Sequence, residues 1–217
     1  MKKQKLTKEK LIKEAKVFAP SHSKMTFSEM YGITDGKAVG TFFEHKFRKH
    51  LADKYDFKAG NSAKGIDFPA LEIDIKVTSI KQPQSSCPYK SVRQKIYGLG
   101  YSLLVFVYEK TDSHKNKTGR LNFLHTIFVE KEYTGDFQTT KGLRQILKND
   151  GNIDDLAGFM RDRNLPLDDI EANEIAEELL KSKPEQGYLT ISNALQWRLQ
   201  YGRVIQMAGL VKGVCRL

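Results

Sequence analysis

The sequence is short of the residues that build soft-metal sites. Its two cysteines, Cys87 and Cys215, stand far apart and outside any Cys-x-x-Cys spacing, and its five histidines form no His-x-x-x-His pair. Zinc sites need such spacing, so metal chemistry based on sulfur or imidazole is disfavoured and the thiols are expected to be reduced. No apolar run approaches the ~18 residues of a membrane span. The lysine-rich start is followed by amphipathic sequence and not by the apolar core of a signal peptide, so the expectation is a soluble, cytoplasmic protein with no membrane partner. Repeats and low-complexity tracts are missing, as is the Gly-x-x-x-x-Gly-Lys-Ser/Thr pattern of ATP-driven machinery.

What is abundant is positive charge. Lys and Arg number 36 against 26 Asp and Glu, giving a formal net charge of +10 and a pI near 9.4. Such a field attracts polyanions, nucleic acid first among them, although a merely basic protein has the same balance. The apolar share of 40% suffices for a core, and 217 residues fit one generous α/β domain or one domain with a small appendage.

Leu11, Ala15 and Phe18 follow Thr7 at helical spacing, with Thr7 as N-cap, and Pro20 is expected to end that helix. A longer helix is predicted after Asp35, because Val39, Phe43, Phe47 and Leu51 recur every four residues. Glu44 lies at the margin of that stripe, whereas Lys46, Arg48 and Lys49 are expected on its outer face. After a loop containing Gly60, Asn61, Ser62 and Gly65, residues 71–77 alternate strictly, as a strand does. One face carries Leu71, Ile73, Ile75 and Val77; the other carries Glu72, Asp74, Lys76 and Thr78. Residues 101–108 are nearly all apolar, which fits a central strand buried on both faces, and 121–129 follow across a polar turn as its hairpin partner. Helices are predicted over 140–148, 153–163 and 168–181. After Pro184 and Gly187, Thr190 is positioned to cap a last helix containing Trp197.

The tripeptide (Asp/Glu)-x-Lys is a weak signal by itself, since Glu14, Asp35, Glu44 and Asp56 also stand two residues before a lysine. Asp74-Ile75-Lys76 alone lies on an alternating strand, where residues two apart share a face and carboxylate and ammonium project together. Asp67 precedes it after the glycine-containing loop. Hydrolysis of a phosphodiester calls for a divalent ion to offset developing charge, and magnesium takes one or two carboxylates plus waters. Asp67 and Asp74 meet that need; Lys76 would orient or help deprotonate the attacking water. The plain alternative is a solvated polar face with a weak Asp74–Lys76 surface pair.

With Glu44 on an N-terminal helix, Ile66-Asp67 at a strand entrance and Asp74-Ile75-Lys76 after it, residues 39–129 resemble the PD-(D/E)XK nuclease superfamily, which includes most type II restriction endonucleases. Ile66 stands where the pattern has proline. Glu72 is a competing second ligand, with Asp74 favoured because only it stands two residues before the lysine. The resemblance implies Mg2+ held by Asp67, Asp74, Ile75 and Glu44, catalysis by Asp67, Asp74, Lys76 and Glu44, and products with 5′-phosphates and 3′-hydroxyls.

For holding DNA, residues 190–203 combine Asn193, Gln196, Arg198, Gln200 and Arg203 with large apolar side chains. Asn and Gln pair with adenine and Arg with guanine in the major groove, so a helix here, following the helix over 168–181, resembles a helix-turn-helix. An ordinary amphipathic helix packed through Ile191, Leu195 and Leu199 fits equally. Lys90 and Arg93, between the two strands, are phosphate-contact candidates. The acidic residues between 154 and 178 are expected on solvated helix faces.

The expected fold is α/β: a mixed central β-sheet flanked by helices, like that of restriction endonucleases, with a nuclease core over 1–150 and a helical C-terminal region over 151–217. The expected function is Mg2+-dependent cleavage of double-stranded DNA at a short sequence by a homodimer, since two-fold symmetry matches a palindrome. A structure-specific or nicking repair nuclease of the same fold, and a non-catalytic basic DNA-binding protein, are the alternatives.

Overall fold

A computed structural model describes residues 3–60, 65–87, 90–193 and 197–217. Of the residues singled out above, Asn61, Ser62, Leu195 and Gln196 lie outside the described residues. In chain order the elements are β1 (Gln4–Lys5), α1 (Lys8–His22), α2 (Gly36–Lys54), β2 (Tyr55–Asp56), β3 (Ile73–Ser79), β4 (Gln84–Cys87), α3 (Arg93–Tyr97), β5 (Ser102–Ser113), β6 (Thr118–Val129), α4 (Phe137–Lys148), α5 (Ile153–Asp162), α6 (Asp169–Lys181), β7 (Thr190–Ile191), β8 (Trp197–Gln200), α7 (Gly202–Met207) and β9 (Val214–Arg216). The fold is α/β, with a central mixed sheet flanked by helices, as expected. The chain divides into two compact units, each assembled from separated segments.

The first unit comprises Met1–Gln84, Leu103–Phe128 and Ala208–Leu217. Its sheet has the order β3-β5-β6-β9. Residues 114–117 join β5 to β6, a connection too short for anything but an antiparallel pair. On this sheet lies one apolar core: Leu11, Ala15 and Phe18 of α1; Phe43, Phe47 and Leu51 of α2; Ile73 and Ile75 of β3; Leu104 and Phe106 of β5. The four-residue stripe on α2 is what reaches the sheet, with the Phe43 and Phe47 rings edge-on to Phe106 at centroid distances of 4.9 and 5.4 Å. Asp35 starts α2 by accepting from the backbone N–H of Lys37 and Ala38 at 3.1 and 3.2 Å.

One local expectation is corrected in this unit. Helix α1 runs past Pro20 to His22. The proline is exposed in the last turn, where its missing N–H costs one bond while the Ser23 N–H still reaches the Ala19 carbonyl at 3.0 Å. A buried carboxylate also ties α1 to α2: Glu14 accepts from His50 Nε2 and Lys54 Nζ, both at 2.7 Å, and from the Tyr55 hydroxyl at 2.8 Å. Burial would raise its pKa, but these donors carry it down to about 2.

The second unit comprises Ser85–Ser102 and Val129–Met207. Its core joins Val92 and Ile96 of the α3 region to Leu143 of α4, Leu156 and Met160 of α5, and Ala172, Ile175 and Leu179 of α6. Several of the acidic residues serve helix starts. Asn152 and Asp155 form a capping box on α5, Asp168 caps α6, and Asp169 and Glu171 fill the first turn of α6, where the helix dipole favours negative charge.

The predicted last helix, and with it the helix-turn-helix, is absent. Residues 190–191 and 197–200 are instead strands that pair antiparallel, Thr190 opposite Gln200 and Ile191 opposite Leu199, in a sheet of order β4-β8-β7. Ile191 and Leu199 stand eight residues apart, which puts them on one face of a helix, and they meet equally on one face of a sheet when paired across a hairpin. Pairing within the sheet decides between the two readings, burying Ile191 and Leu199 while Thr190, Arg198 and Gln200 stand exposed. Asp136 secures this hairpin. One oxygen caps α4 through the Thr139 N–H at 2.8 Å, and the other accepts the Ile191 N–H at 2.9 Å.

Replacing Asp136 by Ala removes the cap and leaves a buried N–H unmet, so Asp136→Ala is expected to lose about 2–3 kcal/mol in denaturant unfolding. A loss under about 0.5 kcal/mol would show that the hairpin does not depend on it.

Candidate active site

The local chain path brings Asp67 to Asp74. Past Asp67 the chain enters a 3₁₀ turn over Pro69–Leu71, with Pro69 at its start, and Glu72 closes the turn in the left-handed conformation at φ +52°. Phe68 and Ile73 then face each other, bonded N–H to carbonyl in both directions at 2.9 and 3.3 Å. This reversal sets the two aspartates side by side. The Asp67 N–H donates to Asp74 Oδ1 at 3.3 Å, and the Ile75 N–H donates to Asp67 Oδ2 at 2.7 Å. Buried Phe68 anchors the turn, 5.4 Å from the Phe57 ring between centroids. Gly60 fixes its other side: its N–H donates to the Asp67 carbonyl at 2.8 Å, and a Cβ there would lie 1.8 Å from the Ile66 carbonyl oxygen.

Strand β3 therefore begins at Ile73, and Leu71 and Glu72 belong to the turn before it. Glu72 does not share the polar face with Asp74 as the alternation implied; it is exposed. Nor is that face solvated, because Asp74 is only 3% exposed. Lys76, on the same face, places Nζ 2.8 Å from Asp74 Oδ2. Ile75 has its side chain in the core, so only its backbone serves the site.

Helix α2 supplies the remaining groups. Glu44 is half-buried, and its carboxyl is pushed up to about 7 by burial and by the negative charge of Asp67, against Lys76 and Arg48. Asp74 is raised to about 6, again by burial first, with Asp67 adding to the rise and Lys76 opposing it. Arg48, one turn after Glu44, is not on the outer face: its guanidinium pairs with Asp67 Oδ1. Lys46 lies over the Phe27 and Phe42 rings at 4.9 and 4.8 Å. The sequence puts Arg48 among outward basic residues able to contact phosphates, although an opposing signal is there: on a helix, residues four apart share a face, so whatever places Glu44 at the margin of the apolar stripe places Arg48 there as well.

Among the described residues no group of three or more His, Cys, Asp or Glu side chains is placed to hold a metal. The donor set present is two adjoining carboxylates. One of their oxygens, Asp74 Oδ2, is buried with Lys76 Nζ 2.8 Å away. A buried carboxylate depends on such a cation, and a divalent ion would meet the same need. Magnesium, which takes one or two carboxylates and keeps several waters, fits this pair.

The candidate DNA-contact residues fare unequally. Asn193 is committed at both ends of its amide, accepting from Lys95 Nζ and donating to the Arg163 carbonyl. Arg203 lies on α7 with its guanidinium 3.7 Å from the Phe137 ring centre. Arg93 pairs with Glu178 of α6. Lys90 is exposed, its N–H donating to Gln94 Oε1. Arg198 and Gln200 stand out on the exposed face of β8.

The two raised carboxyls fix a sign for pH dependence. A group whose folded pKa lies above its ordinary value stabilises fully below that ordinary value, and the contribution is lost as pH rises through the folded pKa. For Glu44 the window runs from 4.5 to about 7. In chelator at pH 8, Glu44→Gln is expected to raise the melting temperature by ~2–4 °C, with the gain gone by pH 4. A lower melting temperature at pH 8 would contradict the electrostatic picture.

No solved structure matches the chain. The family model described as Type II restriction enzyme NspV matches residues 5–216. The Type II restriction enzyme NspV of Nostoc sp. is 61% identical over 209 residues, covering 96% of this chain and 95% of that protein. A family model spanning nearly all of the sequence and a relative so similar over its whole length lead to one conclusion: the chain belongs to the family of the type II restriction enzyme NspV.

Proposed function

We propose that the protein is a Mg2+-dependent endonuclease that cleaves double-stranded DNA at a short specific sequence, with Asp67, Asp74, Lys76 and Glu44 as its catalytic groups. The observation that carries this reading is the buried juxtaposition of Asp67 with Asp74, with Lys76 Nζ 2.8 Å from Asp74 Oδ2. Asp67 and Asp74, helped by the Ile75 backbone and Glu44, would hold the ion, which when bound supplies positive charge to the phosphate under attack. Lys76 orients the attacking water and offsets negative charge beside Asp74. Glu44, held near neutrality in its pKa, can carry or release a proton at working pH. Water oxygen bonds to phosphorus, the P–O3′ bond breaks, and the 3′-oxygen takes a proton, leaving a 5′-phosphate and a 3′-hydroxyl.

The first unit is read as the catalytic unit and the second as the one that reads sequence. With the helix-turn-helix gone, the reading element is the exposed face of β8, where Arg198 suits guanine and Gln200 suits adenine; strands are used in this way by ribbon-type DNA readers. A net charge of +10 supplies the non-specific attraction. Two copies related by a two-fold axis would cut both strands of a palindrome. Among the described residues no helix is long and apolar enough to cross a membrane, and action on DNA in the cytoplasm accords with that.

Purified protein with phage DNA and Mg2+ is expected to give discrete fragments, and none with chelator. Asp74→Asn and Lys76→Ala are expected to cut cleavage by about 10²–10⁴-fold. Glu72→Gly, which suits its left-handed backbone, should stay within about threefold of wild type. Failure to cut any duplex, or a Glu72→Gly variant as inactive as Asp74→Asn, would remove the assignment. Gly60→Ala is expected to lose at least ~10-fold in kcat through displacement of Asp67, with the fold retained by circular dichroism; unchanged kcat would show that the close approach at Gly60 does not position the site.

A further inference from the structure

The reaction as derived leaves one charged group of the site without a task. Arg48 pairs through Nη2 with Asp67 Oδ1, while Asp67 Oδ2 takes the Ile75 N–H at 2.7 Å. The Nε of the same guanidinium is buried and has no acceptor. A buried arginine in a purely structural role is expected to have its N–H groups met. Here the guanidinium is paired through Nη2 while Nε is not, on a side chain that keeps 29% of its surface exposed.

Charge accounting explains why it is there. Asp67 and Asp74 adjoin, and Glu44 feels both. Each aspartate is matched by one protein cation, Asp74 by Lys76 and Asp67 by Arg48. A doubly charged ion on the same two carboxylates would make one of these cations redundant and repel it. Lys76 is on the strand with Asp74; Arg48 comes from a helix and has the longer, planar side chain. A guanidinium also matches a phosphate through two parallel N–H donors, so the unmet Nε edge suits a phosphodiester oxygen.

We propose that Arg48 is a positioning residue that stands in for the divalent ion on Asp67 in the metal-free protein and turns to a backbone phosphate of the duplex when the ion is held. The proposal rests on Asp67 and Asp74 being the metal carboxylates. It makes metal loading and DNA binding cooperative, because the arginine released by one is the ligand for the other.

The test uses Ca2+ as the probe ion and four forms of the full chain: wild type, Arg48→Gln, Arg48→Lys and Asp67→Asn. Ca2+ affinity is measured calorimetrically without DNA, and affinity for a duplex in Ca2+ is measured across salt concentrations. Arg48→Gln is expected to bind Ca2+ at least ~5-fold tighter, since a competing cation is gone. It should bind duplex about tenfold more weakly, with the log–log salt slope reduced by about one. Arg48→Lys, a shorter cation that guards against misfolding of the Gln variant, is expected to bind Ca2+ at least ~2-fold tighter with the salt slope kept. If both Arg48 variants bind Ca2+ no tighter than wild type while Asp67→Asn loses it, Arg48 is a structural ion pair and the proposal falls alone. If Asp67→Asn binds Ca2+ like wild type, the assignment of the metal carboxylates falls and this proposal falls with it.

Discussion

The site depends on two carboxylates being kept adjacent where water is scarce. Burial raises Asp74 to about 6, and the neighbouring charge of Asp67 adds to that rise. The arrangement survives because the fold supplies specific opposing contacts: backbone N–H groups of Asp67 and Ile75 and the cations Arg48 and Lys76. The turn over Pro69–Leu71 and the left-handed Glu72 exist to aim those N–H groups. Local strain at Glu72 and charge frustration at Asp74 are stability given up so that a cation is wanted at one place.

The second unit handles charge in the opposite manner. Asp154, Asp155, Asp168, Asp169 and Glu171 sit at helix starts, where the backbone itself is the counter-charge. Buried Asp136 is fully employed by N–H and hydroxyl donors, so it seeks no ion. Lys95, 3% exposed, has its pKa lowered by burial, opposed by Asp136. These groups fix the frame of a small sheet whose outward residues are polar and free of carboxylates along β7 and β8. The contrast separates acidic residues that cap helices from the two aspartates that adjoin beside Ile75.

Much of this was legible in the sequence, for physical reasons that also mark its limits. The α2 stripe and the alternation around Asp74 are periodic signals, and periodicity reports which face is buried; Glu44, Asp74 and Lys76 followed from it. The turn before β3 was misread as strand because Leu71 and Glu72 continue the alternation, while the backbone reversal is set by Pro69 and by the pairing of Phe68 with Ile73. The spacing of Ile191 and Leu199 fits one helix face, and only their cross-strand pairing sets them on one face of a sheet instead. Arg48 was assigned outward by counting basic residues as one face, when the four-residue offset from Glu44 placed it inward.

The net charge and the local charge of the site work at different ranges. A +10 molecule draws a polyanion from beyond contact, but salt confines that pull to about a Debye length of ~8 Å, and it acts on any sequence alike. At the reacting phosphate the protein presents carboxylates, which would push a duplex away if left bare. The two protein cations answer that problem differently. Lys76 is on the same strand as Asp74 and can serve throughout, whereas Arg48 reaches Asp67 from another element and can serve only one anion at a time. One cation shared between a carboxylate and an incoming anion would link the two ligands that compete for it, which is the physical content of the role proposed for Arg48.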